Sequence, residues 1–485
     1  MLVRKDKTIR QQISMVSLED LVPDDHLLRI IEQAINFDFI YDLVKGLYSE
    51  TKGRPSIDPV VLIKMSLLQV LFGISSMRQT VREIHVNNAY RWFLGYGLHE
   101  PIPHFSVFSK NYERRFKNTD LFEKIFEYIL LEARENGFVT ADAVFIDATH
   151  VKASANKGKS RKEMVAREVH QYKKQLMQEI EADRINEGKK PLPHHDDDDP
   201  RGDGTLEMKE TTVSTTDQEC GLFHKGEKER CFAYGSHVAC DKNNFILGHV
   251  TAPGNIHDSI VFSAIYAQIK SYFSHQITSV VVDAGYKTPG ICKEIIDDGK
   301  IPVMPYKRPL TKPGNFKKYE YVYDEYFDCY LCPHHQILSY STTNRDGYRE
   351  YKSNPKLCAS CPLIRQCTQS KNQTKVILRH LWEHYLEEAE DIRHHLEYRD
   401  LYKLRGETIE RVFADAKEKH GMRYTRLRGR QRVHDQLTLL YAGMNLKKLA
   451  MWKKKLGMLT PQGVFTNLFN FILLPNRNPL SGFAA

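Results

Sequence analysis

The stretch Val144-Phe145-Ile146-Asp147-Ala148-Thr149 decides the fold. An apolar run of this length reads as a strand buried on both faces, and a carboxylate at the end of such a strand is tolerated only where the sheet opens to water or to a cation. Asp147 is therefore the first candidate functional residue. The pattern recurs in Val280-Val281-Val282-Asp283-Ala284-Gly285, where valines run into an Asp followed by small residues suited to a turn. Two buried strands that each end in Asp predict a shared site. A third carboxylate lies in a helical pattern: Ile409, Val412, Phe413 and Ala416 form an apolar face, and Glu410 stands at its margin. Each acid alone has an ordinary reading, since Asp after a strand commonly caps a turn and a helical Glu commonly faces water. The argument rests on the set.

The composition sets the frame. A chain of 485 residues predicts about three domains, and a hydrophobic fraction of 41% with 27% charged residues is that of a globular protein. No apolar run reaches membrane-spanning length, and Met1-Leu2-Val3-Arg4-Lys5-Asp6 lacks a signal-peptide core, so the expectation is a cytoplasmic, nucleoid-associated protein with no membrane partner. The nine cysteines include a cluster of five, which in a reducing compartment argues for metal rather than disulfides. The net charge of +9 is concentrated: residues 401–460 hold 15 Lys and Arg against 5 Asp and Glu. A basic end of that density favours a polyanion.

Up to about Lys117 the spacing predicts only helices. Asp58-Pro59 opens one through Leu71, Gly73 stops it, and Ser75 or Ser76 caps Met77 to Val86. A basic helix follows from Val107 to Lys117 with Lys110, Arg114 and Arg115. A helix-turn-helix DNA reader and a plain helical bundle with a solvated charged face both fit this pattern. Beyond the Asp147 strand lies a polar tract, 153–218. Gly158-Lys159-Ser160 resembles the end of a phosphate-binding loop but has Ala153 where that motif needs Gly, which excludes it. Lys162 to Ala182 reads as a charged helix and His194 to Pro200 as a solvated acidic loop. Phe232–Ala239 and Phe245–Val250 predict a hairpin, and Asp258 is the expected cap of a helix through Ile269.

Cys329, Cys332, Cys358, Cys361 and Cys367 form two CxxC pairs and one further thiol, the pattern of a tetrahedral structural zinc site. Cys332, Cys358, Cys361 and Cys367 are the expected ligands, with Cys329 an alternative. After the Glu410 helix, Arg423, Arg426, Arg428, Arg430 and Arg432 are spaced for phosphate contacts along a nucleic-acid backbone.

Taken together, these residues resemble the DDE transposases of bacterial insertion sequences, in the branch whose ribonuclease-H-like core is interrupted by a large insert. The marks are Gly53-Arg54-Pro55, Asp58-Pro59, Phe145-Ile146-Asp147-Ala148-Thr149, Asn255-Ile256-His257-Asp258-Ser259, Val282-Asp283-Ala284-Gly285-Tyr286, the Cys358–Cys367 set and Ile409-Glu410-Arg411 with Lys417. The resemblance implies that Asp147, Asp283 and Glu410 are the catalytic triad and hold two Mg²⁺ or Mn²⁺ ions, roughly 3.5–4 Å apart in two-metal sites. It implies that Arg411 and Lys417 accompany the Glu on DNA. The partners implied are the terminal inverted repeats, the target DNA and a second copy of the chain in the DNA complex. The related Tyr-Arg-Glu-Lys signature is met in part: Tyr402 and Arg405 precede Glu410 with one residue too many.

The expected class is thus mixed α+β. A helical, DNA-binding domain spans 1–120. The first part of a ribonuclease-H-like α/β catalytic core spans 121–300, a cysteine-rich zinc-type insertion 301–395, the second part of the core 396–460 and a tail 461–485. A DNA-binding repressor with an inactive core, a metal-dependent nuclease without strand transfer, and a structural zinc protein docking nucleic acid through its basic end stand as alternatives.

Overall fold

The computed structural model describes residues 13–49, 56–167, 172–192, 207–225, 229–308 and 311–459. The expected acidic loop at His194–Pro200, the mark Gly53-Arg54-Pro55 and the 461–485 tail lie outside them. The chain divides into two compact units, one of Met1–Gln69, Ile74–Phe116 and Leu446–Ala485 and one of Val70–Gly73 and Lys117–Asn445.

The first unit is helical among the described residues, as expected: α1 (Leu27–Ala34), α2 (Phe39–Val44), α3 (Pro59–Leu71), α4 (Met77–Val86), α5 (Asn88–Leu94) and α6 (Ser106–Asn111), which runs on into a π-helical turn at Tyr112–Phe116. The caps are those the sequence announces. Asp58 Oδ1 accepts from Val60 N (2.7 Å) ahead of Pro59, and Ser76 Oγ accepts from Gln79 N (3.3 Å). Lys64 is buried, which a cation tolerates only when paired: its Nζ bonds Glu32 (2.8 Å) and lies over the rings of Phe37 and Phe93.

The second unit is mixed α/β. In chain order it contains α7 (Leu121–Glu135), β1 (Ala143–Lys152), β2 (Ser160–Arg167), α8 (Lys173–Asn186), β3 (Glu207–Ser214), β4 (Gly221–Lys225), β5 (Glu229–Cys240), β6 (Ile246–Pro253), α9 (Asp258–Phe273), β7 (Ser279–Val282), α10 (Pro289–Asp297) and β8 (Ile301–Val303). An insert follows with β9 (Val322–Asp324), β10 (Cys329–Leu331), β11 (Ile337–Thr343), β12 (Tyr348–Ser353), α11 (Pro355–Ala359), α12 (Ile364–Cys367) and β13 (Val376–His380). The chain then runs through α13 (Glu383–His394), α14 (Leu396–Lys403), α15 (Ile409–Lys419) and α16 (Arg430–Lys455).

The principal sheet has the order β4-β5-β1-β7-β8, with β6 on β5 as well. β1 is antiparallel to β5 and parallel to β7, and β7 is parallel to β8. Val144, Phe145, Ile146, Val280, Val281 and Val282 are all fully buried, which is why this central pair carries continuous apolar runs rather than alternation. α16 is tied to the sheet by buried polar contacts: Tyr441 hydroxyl to Ser236 (2.7 Å), Thr438 to His249 (2.8 Å) and the Asn445 amide to both backbone groups of Ile246.

Three expectations are corrected. β1 does not end at Asp147 but runs to Lys152, because β5 keeps pairing with it after β7 has stopped. The helix read over Lys162–Ala182 is a strand in its first part, β2, paired along its length with β3, and only Lys173–Asn186 is helical. His257, not Asp258, caps α9: its Nδ1 accepts from Ser259 N (3.2 Å), and Asp258 occupies the first helical turn.

The insert forms a five-stranded antiparallel sheet, order β13-β12-β11-β10-β9, around Tyr321, Tyr330, Leu338, Tyr351 and Ile377. α8 joins it through Leu176 and Ile180 on Trp382. α13 returns the chain to the principal sheet, where Glu390 meets the buried Lys287 ammonium (2.5 Å) beside α10.

Candidate active site

Parallel pairing places the first two acids. Ile146 and Val282 are the last registered partners of β1 and β7, so Asp147 and Asp283 leave the pair together, one residue further on. At this edge the apolar interior stops. Asp147 is mostly buried; its Oδ1 accepts from Ala148 N (2.8 Å), and its Oδ2 accepts from Arg405 Nη2 (2.6 Å). Asp283 Oδ1 accepts from Gly285 N (2.6 Å), the turn the Asp-Ala-Gly sequence announces.

Arg405 lies in a 3-10 turn, Leu404–Gly406, between α14 and α15. It is buried, donates from Nη1 to the Tyr402 hydroxyl (3.1 Å), and its Nε has no partner among the described residues. The sequence assigned no role to Arg405 or Tyr402 because the spacing to Glu410 is one residue too long. The 3-10 turn, followed by an unusual backbone at Thr408 (φ −111°, ψ −101°), accommodates that residue before α15 begins.

Asp258 joins this group from the start of α9. A Cβ on Gly285 would lie 3.0 Å from Asp283 Oδ1 and 3.9 Å from Asp258 Oδ2, so both carboxylates lie near that glycine. Behind them are the fully buried Tyr286 and His237, with His237 Nδ1 3.5 Å from the Tyr286 hydroxyl and 4.0 Å from Asp258 Oδ1. The Tyr286 hydroxyl is held far above its ordinary range by burial and by Asp258, Asp147 and Asp283 around it.

Electrostatics show the crowding. Burial pushes the Asp147 carboxyl up to about 6, against the opposing pull of Arg405 and the Ala148 amide and with the repulsion of Asp283 and Asp258. Asp258 is pushed up to about 6 by burial and by Asp283. Folding with raised carboxylate pKa values favours the protonated forms. The contribution to stability is therefore full below the ordinary carboxylate range and is lost as pH rises through about 6. A cation needs the ionised forms, so its binding follows the opposite trend. We expect Arg405→Gln to remove the main counter-charge of Asp147, raise that carboxyl further and move the acid limb of activity to higher pH. A pH–rate profile checks this, and an unmoved acid limb would show that Arg405 does not govern the ionisation.

Glu410 stands in the first turn of α15, exposed, above the apolar face Ile409, Val412, Phe413 and Ala416, all four buried as the pattern requires. Its Oε2 reaches back to within 4.0 Å of a Cβ built on Gly406, next to Arg405. On the same helix Arg411 is exposed, while Lys417 is half-buried and acts electrostatically on His150.

The arginine-rich segment is tied to the far end of β1. Lys152 N donates to Arg423 O (3.2 Å) and Thr425 N to Lys152 O (2.9 Å), five residues or about 16 Å along the strand from Asp147. Arg423, Arg426, Arg428 and Arg430 are exposed; Arg423 pairs with Glu418, and Arg428 Nε donates to Ser154 O (3.1 Å). In the first unit Lys110 and Arg114 are exposed, whereas Arg115 bonds Asn111 and stacks over Tyr48 (4.5 Å). Arg115 thus has a packing role that the sequence did not reveal.

In the insert, Cys367 lies within electrostatic reach of Cys332 and of Cys358, and Cys361 N donates to Cys358 O (3.1 Å). Cys332 opens a tight turn in which Gln336 N donates to its Sγ (3.3 Å), the kind of support a thiolate needs. Cys329 is buried beside Asp324 and Asp328 instead. A separate trio, His150, Glu229 and Cys231, has ligand atoms mutually within 4.8 Å, but Glu229 Oε1 already has Lys152 Nζ at 3.3 Å. No described helix is long and apolar enough to cross a membrane.

Comparison with known families gives two matches. Residues 16–114 match the family described as Transposase domain (DUF772), and residues 331–450 match Transposase DDE domain, a stretch that contains Cys332, Cys358, Cys361, Cys367, Arg405 and Glu410. No curated protein and no solved structure matches the chain.

Proposed function

From a chain that these matches identify as a DDE transposase of insertion-sequence type, we propose an enzyme that binds the ends of its element and catalyses cation-dependent DNA strand cleavage and strand transfer. One observation carries the reading: parallel register delivers Asp147 and Asp283 side by side at the end of a buried strand pair. The order β6-β5-β1-β7-β8, three antiparallel strands followed by two parallel ones, supports a ribonuclease-H-like core.

The donor set fits hard divalent cations. Carboxylate oxygens crowd one edge with a single guanidinium among them, and oxygen-only sites suit Mg²⁺ or Mn²⁺. Asp147 and Asp283 would hold the ions, with Glu410 supplied from α15. When bound, such ions stabilise the charge that develops at phosphorus and favour ionisation of an attacking hydroxyl. The protein's own groups supply the rest. Arg405 fixes the Asp147 carboxylate, and Arg423, Arg426, Arg428 and Arg430, with Arg411 and Lys417, line the approach of the DNA backbone. Lys110 and Arg114 give the helical unit a cationic face of its own for the element end. Joining two ends calls for a second copy of the chain in the DNA complex.

Incubation of the protein with DNA carrying element ends, in Mg²⁺, Mn²⁺ or EDTA, tests the reading. Nicks at the ends and products joined to target, both lost in EDTA, are expected. Nicks without joined products would reduce the function to a nuclease, and binding without either would reduce it to a repressor.

We further propose that Cys332, Cys358, Cys361 and Cys367 bind a structural Zn²⁺. The soft donors and the N–H···S support at Cys332 fit that ion. Cys361→Ser should lower zinc content and folded yield together; full zinc in a stable variant would remove the claim.

A further inference from the structure

One group of side chains on the principal sheet is used neither by the carboxylate edge nor by the cysteine set. His150 lies on β1, and Glu229 and Cys231 lie on β5. Positions two apart on a strand share a face, so Glu229 and Cys231 are carried to the same side of the sheet. Phe223 of β4 pairs in register with Cys231, and the His150 ring stacks on Phe223, with centroids 4.2 Å apart and planes at 22°. The stacked ring is held with its Nε2 3.3 Å from Glu229 Oε1.

One nitrogen, one oxygen and one sulfur from these three residues lie within 4.8 Å of one another. With bonds of about 2.0–2.3 Å, tetrahedral coordination sets donor atoms about 3.3–3.8 Å apart. His150 and Glu229 already stand at that spacing, and the sulfur needs a shift of about 1 Å to join them. The Cys231 thiol is buried, is not in a disulfide and has no hydrogen-bond partner among the described residues. Side-chain exposure rises from Cys231 through His150 to Glu229, which opens the group to water on the carboxylate side. A cation already stands there: Lys152 Nζ lies 3.3 Å from Glu229 Oε1, and its half-exposed side chain makes that pair weak and easily displaced.

We infer that His150, Glu229 and Cys231 form a Zn²⁺ site, separate from the cysteine set, with its fourth position open to water. An imidazole, a thiolate and a carboxylate make a mixed donor set of the kind Zn²⁺ takes, whereas Mg²⁺ and Mn²⁺ favour oxygen ligands. On binding, the Cys231 thiol releases its proton to solvent and the Lys152 ammonium leaves the Glu229 carboxylate. The ion ties β1 to the start of β5 next to Lys152, whose backbone holds Arg423 and Thr425 of the arginine-rich segment. This inference is independent of the chemistry proposed for Asp147 and Asp283.

The test is the zinc content of the full-length protein, measured by elemental analysis after equilibration with Zn²⁺ and removal of free ion. Co²⁺ absorption and thermal melting are recorded alongside. Differences from wild type isolate this group, because the cysteine set is the same in every variant. His150→Gln and Cys231→Ala should each lose about one zinc per chain, and Cys231→Ala should lose part of the thiolate-to-cobalt charge-transfer band. Glu229→Gln should raise the Zn²⁺ Kd at least as much as the roughly 10- to 100-fold caused by losing a group that only supports a ligand. Lys152→Met should bind Zn²⁺ more tightly than wild type, since the competing ammonium is gone.

His150→Gln and Glu229→Gln change partly exposed side chains, so they carry the test even if Cys231→Ala does not fold. Wild-type zinc content and affinity in both, in folded protein, would overturn the site. Weaker Zn²⁺ binding in Lys152→Met would contradict the displacement of the ammonium and overturn the site as drawn.

Discussion

Asp147→Asn is expected to lower strand cleavage by about a thousandfold or more, roughly 4 kcal/mol of lost transition-state stabilisation, while binding to element ends is retained. The side chain keeps its shape, so the effect is one of charge. Two opposing consequences follow for the fold. Arg405, buried and bonded to Asp147 Oδ2 at 2.6 Å, loses its anion, which destabilises. Asp283 and Asp258 lose a like-charged neighbour, which stabilises. These effects largely offset, and the melting temperature should move little compared with the rate. Cleavage of element-end DNA in Mg²⁺, measured with end binding on the same preparations, checks this. Retention of more than about a tenth of the rate would place the chemistry elsewhere.

The largest effect on stability is expected at Asp183→Ala, a destabilisation of about 3–5 kcal/mol, the range for removing one partner of a buried pair. Asp183 is buried in α8, where its Oδ1 accepts from Arg349 Nε (2.9 Å) and its Oδ2 accepts from the Thr343 hydroxyl (2.5 Å). Arg349 also reaches Asp328 (3.0 Å), so the three anchor α8 to the insert sheet. Without Asp183 the guanidinium keeps only its outer partners, and the buried Thr343 hydroxyl keeps only Tyr340. Chemical denaturation of the variant measures the loss. A change below about 1 kcal/mol would mean that water replaces the carboxylate and that α8 does not clamp the insert. Asp147→Asn and Asp183→Ala thus separate chemistry from architecture.

What was legible in the sequence was local. Val144–Ile146 of β1 and Val280–Val282 of β7 are short runs of buried apolar residues with a charge at the boundary, and α15 carries its apolar face at helical spacing. The caps at Asp58 and Ser76 are read directly from residue type. The strand β2 was not legible, because its residues Ser160–Val165 are largely exposed and lack alternation, and the strand takes its conformation from pairing with a distant segment, Glu207–Ser214. Asp258 reads as a cap because sequence shows where a helix starts and not what its first turn faces. Arg405 stands one residue too far from Glu410 for the Tyr-Arg-Glu-Lys signature, and sequence spacing does not show the turn at Leu404–Gly406 that takes up that residue. Cys329, which the sequence offers only as an alternative ligand, pairs in register with Asp324 and is buried beside Asp324 and Asp328.

The central claim is that Asp147 and Asp283 form one cation site where the pairing of β1 with β7 ends. The most direct measurement is anomalous X-ray diffraction from crystals of the full-length protein soaked in Mn²⁺, with Asp283→Asn crystals treated in the same way. The account predicts an anomalous peak between the Asp147 and Asp283 carboxylates in the wild type and its loss in the variant. A wild-type peak elsewhere, at the His150–Glu229–Cys231 group for example, with none between the two aspartates, would contradict it.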